Sequence, residues 1–141
     1  MLSALVHCRA LPEALITTLS ALVEGVAEGV IADAVVICRQ PQDDFARIAE
    51  ATGAEFAIIG PDGDPWSAGA AIARREWLFC LEAGDVPLDG WIGAADRFTA
   101  LGALQDYPIG RLGRHARDWR EWFSDRIAAL ARRPQAGDVV H

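Results

Sequence analysis

A chain of 141 residues with 52% hydrophobic side chains is one domain's worth of sequence and can bury a core of ordinary size. Its formal charge of −7 excludes the basic face that a nucleic-acid backbone demands, and all 13 basic residues are Arg. Three Cys without a Cys-x-x-Cys pair fit a reduced, cytoplasmic protein better than a disulfide scaffold, and Glu24, Glu28 and Asp33 interrupt the best candidate for a membrane span.

Leu2 to Val6 is a short apolar run that breaks at His7-Cys8-Arg9, with no basic leader before it, so it reads as a first strand rather than a signal peptide. Leu11-Pro12-Glu13 then opens a helix, since proline suits a first turn and glutamate suits its positive end. Leu11, Leu15, Thr18, Leu19, Leu22 and Val26 make one apolar stripe, which Gly25 and Gly29 are expected to close. Ala34 to Cys38 is a second strand. Arg39-Gln40-Pro41 forms a loop, and Asp43 is the expected N-cap of a short helix carrying Phe45, Ile48 and Ala49. Gly53 is placed to end that helix in a left-handed conformation. Glu55 to Ile59 is a third strand, Gly60 to Pro65 an exposed loop, and Ser67 to Arg75 a small-residue helix.

Trp77 to Leu81 is an unbroken apolar run of strand length, which suits a central strand covered on both faces. It ends in a turn that crowds Glu82, Gly84, Asp85, Pro87, Asp89 and Gly90 together. Trp91 to Leu101 reads as a helix, residues 102 to 113 carry little pattern, and His115 to Arg132 is a last amphipathic helix. On that helix Trp119, Trp122 and Phe123 lie beside an Arg-rich side. They suit packing against the sheet, a homodimer contact or peripheral docking on a membrane surface. Strands alternating with helices imply parallel strands joined by crossovers. The fold class is α/β, a three-layer α/β/α Rossmann-like domain over residues 1–141 with a mostly parallel sheet.

Several blocks together resemble the nucleotide-binding half of family 2 glycosyltransferases, which have the GT-A fold. They are Ser3-Ala4-Leu5-Val6 with Leu11 to Leu15, Ala34 to Ile37 with the Asp43 helix and Thr52-Gly53-Ala54, and Ser67 to Ala71. Above all there is Arg75 to Asp85 with Pro87 and Gly90-Trp91. The resemblance covers roughly Leu2 to Phe98. It implies a nucleotide-binding half over 1–98 and a reduced C-terminal part over 99–141. It also implies transfer of a sugar from a nucleoside diphosphate donor, as in a hexosyltransferase, with Mg²⁺ or Mn²⁺ held by Glu82 and Asp85 against the leaving diphosphate. The family's acidic motif has aspartates at its first and third positions, where this chain has Glu82 and Gly84, with Asp85 following.

By the same resemblance His7 and Arg9, after the first strand, and Arg39, after the second, line the donor nucleotide. The family's carboxylates at the second strand's end are replaced by Cys38-Arg39-Gln40-Pro41. Asp138, in Gly137-Asp138-Val139-Val140, stands as the candidate general base for the attacking hydroxyl. Gly84, Cys38-Arg39 and the short C-terminal part motivate the alternative, a binding or assembly module of the same fold without transferase activity. A nucleotidyltransferase is disfavoured because no Gly-rich, Lys-containing loop follows Val6. Gly60 to Pro65 has no Lys and carries two aspartates, which rules it out as a phosphate cradle. Cys8 and Cys38 end neighbouring strands and are placed to approach each other, whereas Cys80 belongs to the core.

Overall fold

Seven consecutive residues, Leu2–Cys8, are buried without a single polar-side break, and this strand, β1, lies inside the sheet. The computed structural model describes residues 1–9, 11–105, 109–111, 134 and 136–141. In chain order β1 is followed by α1 (Pro12–Ala27), β2 (Ile31–Cys38), α2 (Asp43–Thr52), β3 (Glu55–Ile58), α3 (Pro65–Ala70) and β4 (Trp77–Glu82). Then come α4 (Trp91–Gln105), β5 (Ile109–Arg111) and β6 (Asp138–Val140). The sheet order is β3-β2-β1-β4-β6-β5. The first four strands are mutually parallel, and β6 and β5 add antiparallel pairs beyond β4.

Alternation along each strand divides the core in two. Leu2, Ala4 and Val6 of β1 join Val36, Phe79 and Leu81 beneath α1, α2 and α4. Leu5, Val35, Ile37, Leu78 and Cys80 face the other way, toward Trp66 and Ala68 of α3. This is the expected three-layer, Rossmann-like α/β arrangement.

Glycines decide how closely the helices approach. The expected helix end at Gly25 is corrected: α1 continues to Ala27, and the chain turns at Gly29, whose φ is +72°. Gly25 is instead a buried contact position, where a Cβ would lie 2.5 Å from Cη2 of Trp91. Gly69 plays the same part for α3, because a Cβ there would meet Cδ1 of Ile37 at 2.6 Å. Gly53 caps α2 in the left-handed region as expected, with φ +73°.

Other boundaries also move. The N-cap of α2 is Gln42, not Asp43; Asp43 and Asp44 occupy the first turn, where negative charge favours the helix dipole. α3 starts at Pro65 and ends at Ala70, and Asp64 caps it by accepting from Ser67 N at 2.8 Å and from Ser67 Oγ at 2.6 Å. Strand β5 lies in the stretch expected to carry little pattern. The helix expected over 115–132, with Trp119, Trp122 and Phe123, lies outside the described residues.

At the amino ends of the strands the polar groups are paired. Ser3 Oγ, on a fully buried residue, donates to Asp33 Oδ1 at 2.7 Å and accepts from Arg75 N at 3.0 Å. Asp33 Oδ2 accepts from Arg74 N at 3.3 Å, and the Arg74 guanidinium meets Glu55 at 2.6 Å.

Candidate functional site

From β1 the chain moves to β2 and β3 on one side and then returns to β4 on the other, so its direction reverses between β1 and β4. In open α/β sheets the crevice at the carboxyl ends of the strands flanking such a reversal is where ligands bind. Here those ends supply His7, Cys8 and Arg9 from β1 and Glu82 to Asp85 from β4. Cys38 and Arg39 follow from β2.

The acidic turn is built inward. Asp85 is fully buried, its Oδ2 accepts from Glu82 N at 2.8 Å, and its own N–H donates to Glu82 O at 2.9 Å. Thr18 of α1 holds the turn from below: its Oγ1 accepts from Gly84 N at 2.8 Å and donates to Asp85 O at 2.9 Å. Gly84, with φ +98°, supplies the reversal that this closure needs. On the sequence alone Thr18 belongs to the apolar stripe of α1, because spacing records which face is buried and not which polar group it meets.

The two carboxylates expected to open together therefore differ in placement. Only Glu82 keeps its carboxylate partly exposed, at 25%, and Arg9 Nη1 faces it at 3.5 Å. An Mg²⁺ or Mn²⁺ ion needs several oxygen ligands. Gly84 has no side chain to give, Asp85 is committed to the turn, and Glu82 faces a cation. Among the described residues no group of three or more His, Cys, Asp or Glu is placed to hold a metal. This donor set does not fit a preassembled divalent-cation centre.

Cationic groups dominate the rim instead. Arg9 and Arg39 follow adjacent strands and flank a cleft of about 290 Å³ that is also lined by Gln40 and Gln42 and floored by Phe45. Arg39 is held in place by the carbonyls of Gly60 and Pro61, to which its Nη1 donates. A larger depression of about 560 Å³, between α1 and the start of α4, is lined by Glu24, Glu28 and Asp89 and repels an anion.

His7, at the same strand end, faces the α3 layer. It is 3% exposed, its ring meets Trp66 edge-on at 6.0 Å, and its Nε2 has no hydrogen-bond partner among the described residues. Burial, reinforced by the charges of Arg39 and Arg9 and opposed by Asp64, brings its pKa down to about 4, so the ring is neutral at pH 7. The Ser67 hydroxyl and amide hold the Asp64 carboxyl below the usual carboxylate range.

Asp138 is fully buried at the start of β6, with Gly137 N donating to Cys80 O at 2.6 Å beside it. Burial first, then the charges of Asp138 and Asp64, pushes the Cys80 thiol up to about 12, which is consistent with its core position. The structure thus brings His7, Arg9, Arg39 and Glu82 to one edge, turns Asp85 inward, and sets Asp138 in the sheet beside Cys80.

No protein-family model matches the chain, and no curated protein matches it. Among solved structures it is similar to S. aureus TarS 1–349 in complex with UDP, at 13% identity and a TM-score of 0.53. A second structure of TarS 1–349 gives 13% and 0.52. Each likeness covers 73% of this chain and 33% of that one, so the chain spans about a third of the length of those structures. At this identity what is shared is the fold, the Rossmann-like α/β arrangement described above. Among the described residues no helix is long and apolar enough to cross a membrane.

Proposed function

We propose that this chain recognises a nucleoside diphosphate sugar at the carboxyl edge of its sheet, as the donor-binding part of a glycosyltransferase-type protein. The observation that carries this reading is the pair of guanidiniums, Arg9 and Arg39, flanking one cleft on a chain whose net charge is −7. Guanidiniums bind phosphate oxygens through paired, charge-assisted hydrogen bonds. The likeness to a fold solved with UDP supports the same choice of ligand.

Gln40 and Gln42 give the cleft both amide donors and amide acceptors, the pattern a base edge requires. The neutral His7 ring, on the α3 side of the same edge, feels both cations, and its Nε2 has no partner among the described residues. The charge opposite the diphosphate comes from arginine, and binding is therefore expected to survive chelation of divalent ions.

A second reading, recognition without transfer, is favoured by the burial of Asp85 and Asp138. A general base has to reach the hydroxyl whose proton it takes. Neither carboxylate reaches the surface in this conformation.

Titration calorimetry with UDP, GDP and their sugars, in EDTA and in Mn²⁺, tests the proposal. Binding in both media is expected. No heat at millimolar ligand in either would remove the ligand class, and strict dependence on Mn²⁺ would restore a metal role for Glu82. Release of UDP from UDP-sugar above background, lost on Asp138→Asn, would reject the second reading.

A further inference from the structure

The sheet register sets Cys8, the last residue of β1, directly opposite Cys38, the last residue of β2. Adjacent strands run about 4.8 Å apart. Bridged half-cystines have Cα atoms about 4.4 to 6.8 Å apart. Both side chains face the same layer, beneath α1 and α2, and both line the 290 Å³ cleft between Arg9 and Arg39. The third thiol, Cys80, lies in the opposite half of the core and is fully buried.

We infer that Cys8 and Cys38 form a dithiol modification site, closed to an intramolecular disulfide by oxidants of the peroxide class. The two thiols are near enough to alter each other's acidity. That proximity holds Cys38 below the ordinary thiol range against the effect of burial, while it and burial together hold Cys8 above that range. Cys38 is therefore the sulfur that ionises first and Cys8 the one that follows.

The Cys38 thiolate attacks one oxygen of hydrogen peroxide. The O–O bond breaks, a sulfenic acid forms on Cys38, and the hydroxide released takes a proton to leave as water. The Cys8 sulfur then attacks Cys38 Sγ, forming the S–S bond and expelling the sulfenic oxygen as a second water, whose proton comes from the Cys8 thiol. Two thiols lose two electrons and two protons, and the peroxide is reduced to two waters. Because both cysteines terminate their strands, closure acts where the ladder already ends and need not break the pairing behind it.

The site is independent of the nucleotide proposal, since its readout is sulfur chemistry alone. The full chain is treated with hydrogen peroxide, unfolded, alkylated and weighed. The expected result is a loss of 2 Da with alkylatable thiols falling from three to one, reversed by dithiothreitol. Trypsin cleaves after Arg9 and Arg39, so peptides 1–9 and 10–39 are expected to emerge joined. Cys80→Ser retains the 2 Da loss, whereas Cys8→Ser and Cys38→Ser abolish it. Oxygen addition without loss of 2 Da, three surviving thiols, or a bridge that includes Cys80 would each overturn the inference. Should either buried serine variant fail to fold, the wild-type peptide map alone decides.

Discussion

The two edges of this sheet are made from the same strands and differ in how far their polar groups are satisfied. At the amino edge Ser3, Asp33, Arg74, Arg75 and Glu55 close a chain of hydrogen bonds and an ion pair. At the carboxyl edge, among the described residues, His7 Nε2 is buried without a partner, and Arg9 is matched by a 3.5 Å contact to Glu82. Native structures pair almost all buried polar atoms. An edge that leaves one open beside two cations is the edge with capacity for a ligand, while the closed edge holds the strands together.

The largest effect that should separate the edges is on binding. Removing both guanidiniums with Arg9→Ala and Arg39→Ala is expected to weaken UDP at least about 100-fold, since each hydrogen bond to a charged group is worth about 1.5–3 kcal/mol. Arg74→Ala, at the other edge, leaves the affinity unchanged. Equal losses at both edges would break the distinction.

Next comes stability. Thr18→Val keeps the shape of the side chain but leaves Gly84 N and the Asp85 carbonyl without the hydroxyl that serves both. A cost of about 2 kcal/mol is expected by urea denaturation. Ser3→Ala should cost a similar amount by exposing the same kind of deficit at the amino edge. A negligible change in either variant would mean that water replaces the lost bonds.

The pH response sharpens the contrast further. His7 is depressed from 6.5 to about 4 in the folded chain, so between these values the unfolded chain binds a proton that the folded one refuses. Stability therefore falls as pH is lowered from about 6.5 toward 4, by at most about 1.4 kcal/mol per pH unit from this group. His7→Phe should flatten that part of the profile in denaturation curves at pH 4 to 7. An unchanged slope would show that other groups carry it.

The smallest effect is expected from the exposed pair between Arg74 and Glu55. The Arg74 side chain is 68% exposed, and screening holds such pairs to about 0–1 kcal/mol. A larger loss on Arg74→Ala, read as a shift in the urea midpoint, would reveal a contribution from the wider network around Ser3.

Much of the architecture is legible in the sequence because strand burial and helix periodicity are written in the order of apolar residues. Trp77 to Glu82, the α/β alternation and the turn at Gly53 follow from patterns local to each segment. Contacts between segments are not written that way. Gly25 has the appearance of a helix stop and is in fact the place where the Trp91 ring lies against α1. Asp85 has the appearance of a metal ligand, and nothing in its neighbours announces that Glu82 N and Thr18 lock its turn inward. The antiparallel closure of β4 by β6 joins distant stretches, so no local pattern contains it.

That closure has a consequence for how the chain folds. Strands β1, β2 and β3 find one another across single helices, whereas Phe79 and Leu78 wait for Val139 and Val140. Distant pairings form late, because a long loop has to be closed before any bond compensates for it. Until then the outer backbone of β4 is a bare template beside a fully buried Phe, open to strand exchange with another copy. The aggregation hazard during refolding therefore lies on the strand that feeds the ligand edge.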